Sequence, residues 1–358
     1  MIVTFICSAR PEDQIRVQLR FRNSADAINR TGFHLAHILD LDAFVQNTPY
    51  AQKLCARSDL LVIYRYLYGP VLPAIQYWKA REKKIIVDLD QAIDYLTPEM
   101  PDYSFWLEGA PLTTTSGSAL SGSWASPVPL EQLKWGLGMV DAVTTVSARL
   151  ASDWSQFAVV YEIPDYLNTC QYPVFEQDHE GKIWIGLGPA THYAAFKQSG
   201  LANAMEHLCQ EYPQVKLVLG SLGDETDMDL MIDPGQVVAY SYSSFDEWVH
   251  LLLTLDIGLI PVASDYDLRL STVHLLEFMV AKIPWIASHQ LSVHELSTYG
   301  QWLQNSPQEW ESAILKAMEH LDFYKKKAGG EAFLHALGQD AGAHIDKALR
   351  VYSAVVHQ

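Results

Sequence analysis

Cysteine is scarce in this 358-residue chain, and the four present (Cys7, Cys55, Cys170 and Cys209) lie far apart without a C-x-x-C pair. That disfavours a disulfide framework or a thiolate zinc site and fits a reducing compartment. Positive charge is short as well: 25 Lys and Arg against 42 Asp and Glu leave a formal net charge of -17. A protein that tracks nucleic-acid phosphates needs a concentrated basic face, so no nucleic-acid partner is expected. A small phosphorylated ligand is still allowed, because a helix N-terminus and one or two basic groups can hold it. Long apolar runs are absent too. The most apolar later stretch, residues 251–263, is broken by Asp256 and Pro261 and is too short to span a bilayer. The opening MIVTFICSAR lacks the basic flank and the length of a secretory signal and reads as a buried strand. A cytoplasmic location is the expectation. No H-E-x-x-H, G-x-S-x-G or G-x-x-x-x-G-K-[ST] pattern occurs, which removes the required chemistry of zincins, α/β-hydrolases and P-loop enzymes.

Apolar residues make up 49% of the chain and charged residues 19%, so it can bury a substantial core. Short β-branched runs alternate with longer helical patterns, as in a parallel sheet flanked by helices. Strands are expected at 2–7, 60–64 and 85–88, with helices at 17–31 and 72–81 and the pattern resuming at 130–139 and 142–146. Runs such as LLVIY and KIIVDL lack strict alternation, as strands covered on both faces do. His34 and His37 fall on a helix-to-strand connection. Residues 101–129, rich in Ser, Thr, Gly and Pro and holding Trp106 and Trp124, read as a long mobile loop at the cleft mouth, with a linker as the alternative. A second series begins near Lys182, with strands at 183–187, 215–219, 237–239, 257–261 and 285–287. Its helices are expected at 194–212, 245–253, 273–280 and 307–321. Residues 168–181 are polar, lack periodicity and read as a hinge, and a last helix near 345–356 can pack on either half. Two doubly wound units place a ligand cleft at the carboxyl ends of their sheets.

The stretch DIGLIPVASDYDLRLSTVHLLEFMVAKIPWIAS, residues 256–288, carries most of the chemistry. It reads as strand, polar loop, helix and strand. The first N–H groups of a helix at Ser271, Thr272 and Val273 suit a phosphate, with Ser271 as N-cap and Arg269 as a bidentate contact. Glu277 suits a ribose diol; the alternative is a surface helix with an ordinary cap and a solvated glutamate. In the first half Asp88, Asp90 and Asp94 sit at and after a strand end, where a carboxylate can orient an acceptor hydroxyl or act as base. One of Asp88 and Asp90 is expected to reach the ligand; strand-end or capping roles explain them as well. Arg10, Arg16 and Arg20 follow the first strand and can meet phosphate or an acidic acceptor, or form a solvated basic helix face.

The 256–288 stretch resembles the donor-binding region of retaining GT-B glycosyltransferases, glycosyltransferase family 4-like. The match rests on Asp256–Pro261, Ser271, Leu275–Phe278 and Ile283-Pro284. Residues 185–192, IGLGPATH, resemble the first strand and glycine turn of that family's nucleotide-binding domain, with Gly186 and Gly188 allowing close backbone approach. His192 there binds donor sugar or phosphate, or caps a helix. VDAVTTVSARL at 140–150 with YEIPD at 161–165, and the segment 58–94, resemble first-domain segments. The resemblance implies a GT-B fold, two Rossmann-like doubly wound domains facing a central cleft. Residues 1–167 would form the acceptor-side domain, 168–181 the hinge, 182–340 the donor domain and 341–358 a C-terminal helix.

It also implies a hexosyltransferase that uses a UDP-, GDP- or ADP-sugar as substrate, with no cofactor and no metal, in glycan or polysaccharide synthesis. Catalysis would involve Asp88, Asp90 and Arg269. The donor would meet Gly186, Gly188, His192, Arg269, Ser271, Thr272, Val273 and Glu277, while Arg10 and Asp94 would border the acceptor. That acceptor would be a glycan, lipid or protein, and homo- or hetero-oligomers are compatible. The chain departs from the family pattern at Leu270 and His274, where lysines are usual, at Lys282, usually Gly, and at Arg269, where many members have a first Glu. A GT-B-like scaffold without catalysis, partnering an active enzyme, is therefore the competing reading, and a sugar-nucleotide epimerase is a third.

Overall fold

The computed structural model describes residues 1–100, 102–111, 126–173, 179–188, 193–221, 230–241, 244–289 and 293–358. The chain forms two compact units. Unit 1 comprises Met1–Tyr166, Arg269–Ser271 and Ala341–Gln358; unit 2 comprises Leu167–Leu268 and Thr272–Asp340.

Unit 1 contains a parallel six-stranded sheet, β1 (Ile2–Cys7), β2 (Leu35–Asp40), β3 (Leu60–Tyr64), β4 (Lys84–Leu89), β5 (Ala142–Thr145) and β6 (Val160–Glu162), ordered β2-β1-β3-β4-β5-β6. All five residues of β3 are buried, and in β1 and β4 only the first residue is not, as its helices on both faces require. The strand order reverses at β1 and β3. Of the two histidines expected on a helix-to-strand connection, His37 instead lies within β2, an edge strand with Leu35 51% exposed. The long loop expected over 101–129 is interrupted by a helix, Tyr103–Glu108. That helix forms because Phe105 and Trp106 are buried against Tyr68 and Tyr66, with Trp106 stacked 6.2 Å from Tyr66. Trp124 and the rest of 112–125 lie outside the described residues. The final helix, Ala341–Val356, belongs to unit 1.

Unit 2 contains a second parallel sheet, β7 (Ile183–Leu187), β8 (Val215–Ser221), β9 (Val237–Ser241), β10 (Ile257–Ile260), β11 (Trp285–Ser288) and β12 (Gln301–Leu303), ordered β12-β11-β10-β7-β8-β9. This is the dinucleotide-fold order, with the reversal at β7 and β10. Gly186 and Gly258 pair across those two strands. A Cβ on Gly258 would sit 2.5 Å from the Phe278 ring, and one on Gly186 would collide with Leu255. The missing side chains let helices press onto the sheet. Described residues of the expected hinge belong to unit 2, where the Thr169 backbone N–H and hydroxyl both donate to Asp340 at 3.0 Å. Among the described residues no helix is long and apolar enough to cross a membrane.

Candidate functional site

In unit 2 the helix Val273–Val280 follows β10 and the loop beyond it, and all eight of its residues are buried. The solvated-helix alternative is therefore overturned. Glu277 is fully buried, and its charge is compensated by three side chains. Oε1 accepts hydrogen bonds from the Tyr172 hydroxyl and from Trp248 Nε1, both at 2.8 Å. Oε2 meets His274 Nδ1 at 2.5 Å, which places a ring proton on Nδ1. A buried carboxylate survives only with such partners. Burial raises the Tyr172 phenol well above its ordinary pKa, and the neighbouring Glu277 charge adds to the rise. The phenol thus stays protonated and donating. Tyr172 comes from the polar stretch 105 residues earlier and carries no sequence signal for this role. Trp248 lies on the helix Phe245–Leu253, where the sequence reads as ordinary apolar packing.

The cap at the start of the Glu277 helix differs from the expectation. Its N-cap is Thr272, with φ -86° and ψ 7° and no side-chain cap bond, and the helix starts at Val273, so Ser271 is not the cap. Gly186 lies inside β7 and serves packing, whereas Gly188 follows the strand. His192 lies outside the described residues. His274, in place of lysine, is committed to Glu277. Leu270, at the other usual lysine, is buried.

Arg269 belongs to unit 1 rather than to the sheet that precedes it. Its Nε donates to Asp153 at 2.6 Å, its guanidinium covers the Tyr95 ring at 3.6 Å, and its carbonyl accepts from the Ser147 hydroxyl at 2.9 Å. A carboxylate already occupies the fork expected to face a diphosphate. Asp94, next to Tyr95, has a carboxyl pushed up by burial and by Asp153, with its own backbone hydrogen bond and Arg269 opposing.

At the end of β4 the two aspartates, two positions apart and so on one face of a continuing strand, have different partners. Asp88 is clasped by Arg20 through bonds of 2.7 and 2.8 Å and also accepts from Thr144. Arg20 reaches Asp165 at 3.2 Å and the Ile163 carbonyl besides. Burial lowers the Arg20 pKa, Asp88 and Asp165 more than offset it, and the net direction is up. Asp88 thus holds unit 1 together and has no oxygen left for a substrate. Asp90 differs: Oδ2 accepts from the Tyr64 hydroxyl at 3.1 Å, while Oδ1 has no hydrogen-bond partner and lies 3.9 Å from Arg65. Arg65 pairs with Asp13, whose other oxygen accepts from the Tyr66 hydroxyl at 2.8 Å; Tyr66 in turn accepts from Arg10 at 2.9 Å. Arg10 and Asp90, far apart in sequence, thus join one network over the carboxyl ends of β1, β3 and β4. Arg16 and Arg20 are each only 6% exposed, so they are not a solvated basic face. Among the described residues no group of three or more His, Cys, Asp or Glu could hold a metal ion.

No protein-family model matches this chain, and no curated protein matches it in sequence. Solved structures do. A sucrose-phosphate synthase from Thermosynechococcus elongatus superposes with a TM-score of 0.64 at 12% identity, over 100% of this chain and 99% of the other. The fold is GT-B. Anabaena HepE in complex with UDP-glucose follows the GT-B chain described here with a TM-score of 0.58 at 13% identity, over 98% of this chain and all of the other. A UDP-GlcNAc 2-epimerase from Neisseria meningitidis bound to UDP-GlcNAc has a TM-score of 0.54 at 12% identity, over 99% of this chain and 100% of the other. A synthase and an epimerase thus both stand among these structural neighbours.

Proposed function

We propose that this GT-B chain is a glycosyltransferase that moves a hexose from a nucleotide diphosphate donor to an acceptor hydroxyl in glycan or polysaccharide synthesis. The observation that carries the reading is Glu277, a carboxylate kept inside unit 2 on the helix after β10, beside the reversal of strand order. That crevice is where open parallel sheets take ligands, and carboxylates there hold ribose hydroxyls. On this reading the ribose diol takes over the bond that Tyr172 now makes to Oε1. The backbone N–H groups at Thr272 and Val273, together with Gly188, face the diphosphate. In unit 1, Asp90 orients the acceptor hydroxyl through its unengaged Oδ1, with Arg10 and Asp94 on the acceptor side. The helix dipole and backbone N–H groups stabilise the leaving diphosphate, since Leu270 supplies no cation and Arg269 is engaged by Asp153. Retention of anomeric configuration follows the family resemblance.

A second reading is a GT-B scaffold that has lost turnover and partners an active enzyme. The internal engagement of Arg269, His274 and Asp88 favours it. Calorimetry with UDP, GDP and ADP separates these outcomes. One nucleotide should bind at micromolar level and lose at least tenfold in affinity in Glu277→Ala, and the matching nucleotide sugar should hydrolyse slowly without acceptor. Binding without any turnover supports the scaffold; binding of no nucleotide removes both.

A further inference from the structure

Three arginines are buried among the described residues, and they are not equally provided for. Arg20 has Asp88, Asp165 and a carbonyl. Arg65 has Asp13, stands 3.9 Å from Asp90, and lies over the rings of Tyr64 and Tyr66 at 4.6 and 5.3 Å. Arg16 is 6% exposed, yet both of its Nη atoms are closed off from solvent without a hydrogen-bond partner. No ion pair or ring contact compensates it among the described residues. A guanidinium remains charged throughout the physiological range. An isolated buried charge is among the least tolerable arrangements in a folded protein.

The missing partner is defined by the fork itself. Two adjacent Nη groups match two oxygens of one carboxylate or phosphate. Placement points the same way. Arg16 sits in the first helical turns after β1, and β1 and β3 are where the strand order of unit 1 reverses. Asp13, three residues earlier, reaches Arg65 and Tyr66 just past β3, so this segment lies over the carboxyl ends of both strands. Ligands of open parallel sheets enter there. With a net charge of -17, the chain as a whole repels anions, so an anion held here is held locally.

We propose that Arg16 anchors an oxyanion subsite in unit 1 that takes the carboxylate or phosphate group of a bound ligand. The inference is independent of the nucleotide chemistry assigned to unit 2. It is tested by thermal unfolding of the full chain in chloride buffer with added inorganic phosphate or glucuronate. The midpoint should rise by roughly 3–5 °C for each tenfold excess of anion over its dissociation constant. Arg16→Met should lose that rise and, in the same chloride buffer without phosphate or glucuronate, melt no lower than the parent, because it removes an uncompensated charge. Whichever of phosphate and glucuronate acts at lower concentration identifies the group. An equal rise in parent and Arg16→Met overturns the proposal. Should Arg16→Met not fold, phosphate titration of the parent followed by the Arg16 side-chain nitrogen resonances decides, and unmoved resonances overturn it equally. Glu277→Ala should keep the anion response. A chain that binds no nucleotide but keeps this response loses the sugar-transfer reading and retains this one.

Discussion

At the scale of single residues, Glu277 is a fully engaged carboxylate, and the proposed donor role requires one of its partners to give way. Its interior position requires donors, and Tyr172, Trp248 and His274 supply them. Of these, Tyr172 is the replaceable one, because a hydroxyl can be exchanged for a ribose hydroxyl without altering the helix that carries Glu277. Tyr172→Phe should therefore have opposed effects. The loss of a bond to a charged acceptor lowers stability by about 1.5–3 kcal/mol, read by urea unfolding. Nucleotide affinity should rise severalfold in calorimetry, because the diol no longer competes with the phenol. An unchanged affinity alongside the stability loss would make Tyr172 purely structural. Asp141 gives a second residue-scale case. Burial raises its carboxyl pKa, but the Lys79 hydrogen bond, the Ile85 N–H and the charges of Lys79 and Lys84 outweigh that, and the net direction is down. A carboxylate with a lowered folded pKa contributes stability above its unfolded value, about 3.9, and loses it as pH falls through the folded value. Asp141→Asn should thus flatten the acid limb of the stability curve below about pH 4 and leave the shape near neutrality unchanged. Urea unfolding at stepped pH checks it.

At the scale of elements, the pairing of β7 with β10 depends on what Gly186 and Gly258 leave out. Gly258→Ala places a methyl 2.5 Å from the Phe278 ring, and overpacking of this kind lowers stability by about 1–3 kcal/mol. Phe278→Leu combined with it should recover part of that loss, giving a coupling energy in a double-mutant cycle; additive effects would refute the packing role. The same strands explain what could be read in the sequence. β1, β3, β4, β7 and β10 are continuous apolar runs because helices cover both of their faces, and such runs are legible without a structure. β2 and β12 are edges of their sheets, half covered or only three residues long, and the sequence signals neither. The site divides in the same way. Glu277 stands out because its neighbours follow a recognisable pattern along one segment. Its partners Tyr172 and Trp248 are brought in by tertiary folding from 105 and 29 residues away, which no local pattern encodes. Asp88 and Asp90 look alike in sequence, and only the approach of Arg20 from the helical stretch after β1 separates a fully engaged carboxylate from one with an unpartnered oxygen.

At the scale of the whole molecule, chain order and spatial order part company at the end. The helix Ala341–Val356 follows unit 2 in sequence yet completes unit 1. It buries Ile345, Ala348, Tyr352 and Val355, and the Tyr352 ring stands 6.2 Å from Phe5 on β1. Each large apolar side chain so buried contributes about 1.5–3 kcal/mol, which is a substantial part of the net stability of a domain. Cutting the chain after Asp340 removes this cover. It also spares the bonds from Thr169 to Asp340 that close unit 2. Two units with separate cores should unfold as separable transitions rather than as one. Hydrogen exchange of the truncated chain should therefore show β1 and β3 losing protection by several orders of magnitude, while β7 and β8 keep theirs. Equal losses in both units would mean that they fold as one cooperative block, with the last helix as a shared element. Selective loss in unit 1 would leave unit 2 intact, and the affinity of the truncated chain for nucleotide would then show how much of the proposed donor recognition unit 2 achieves alone.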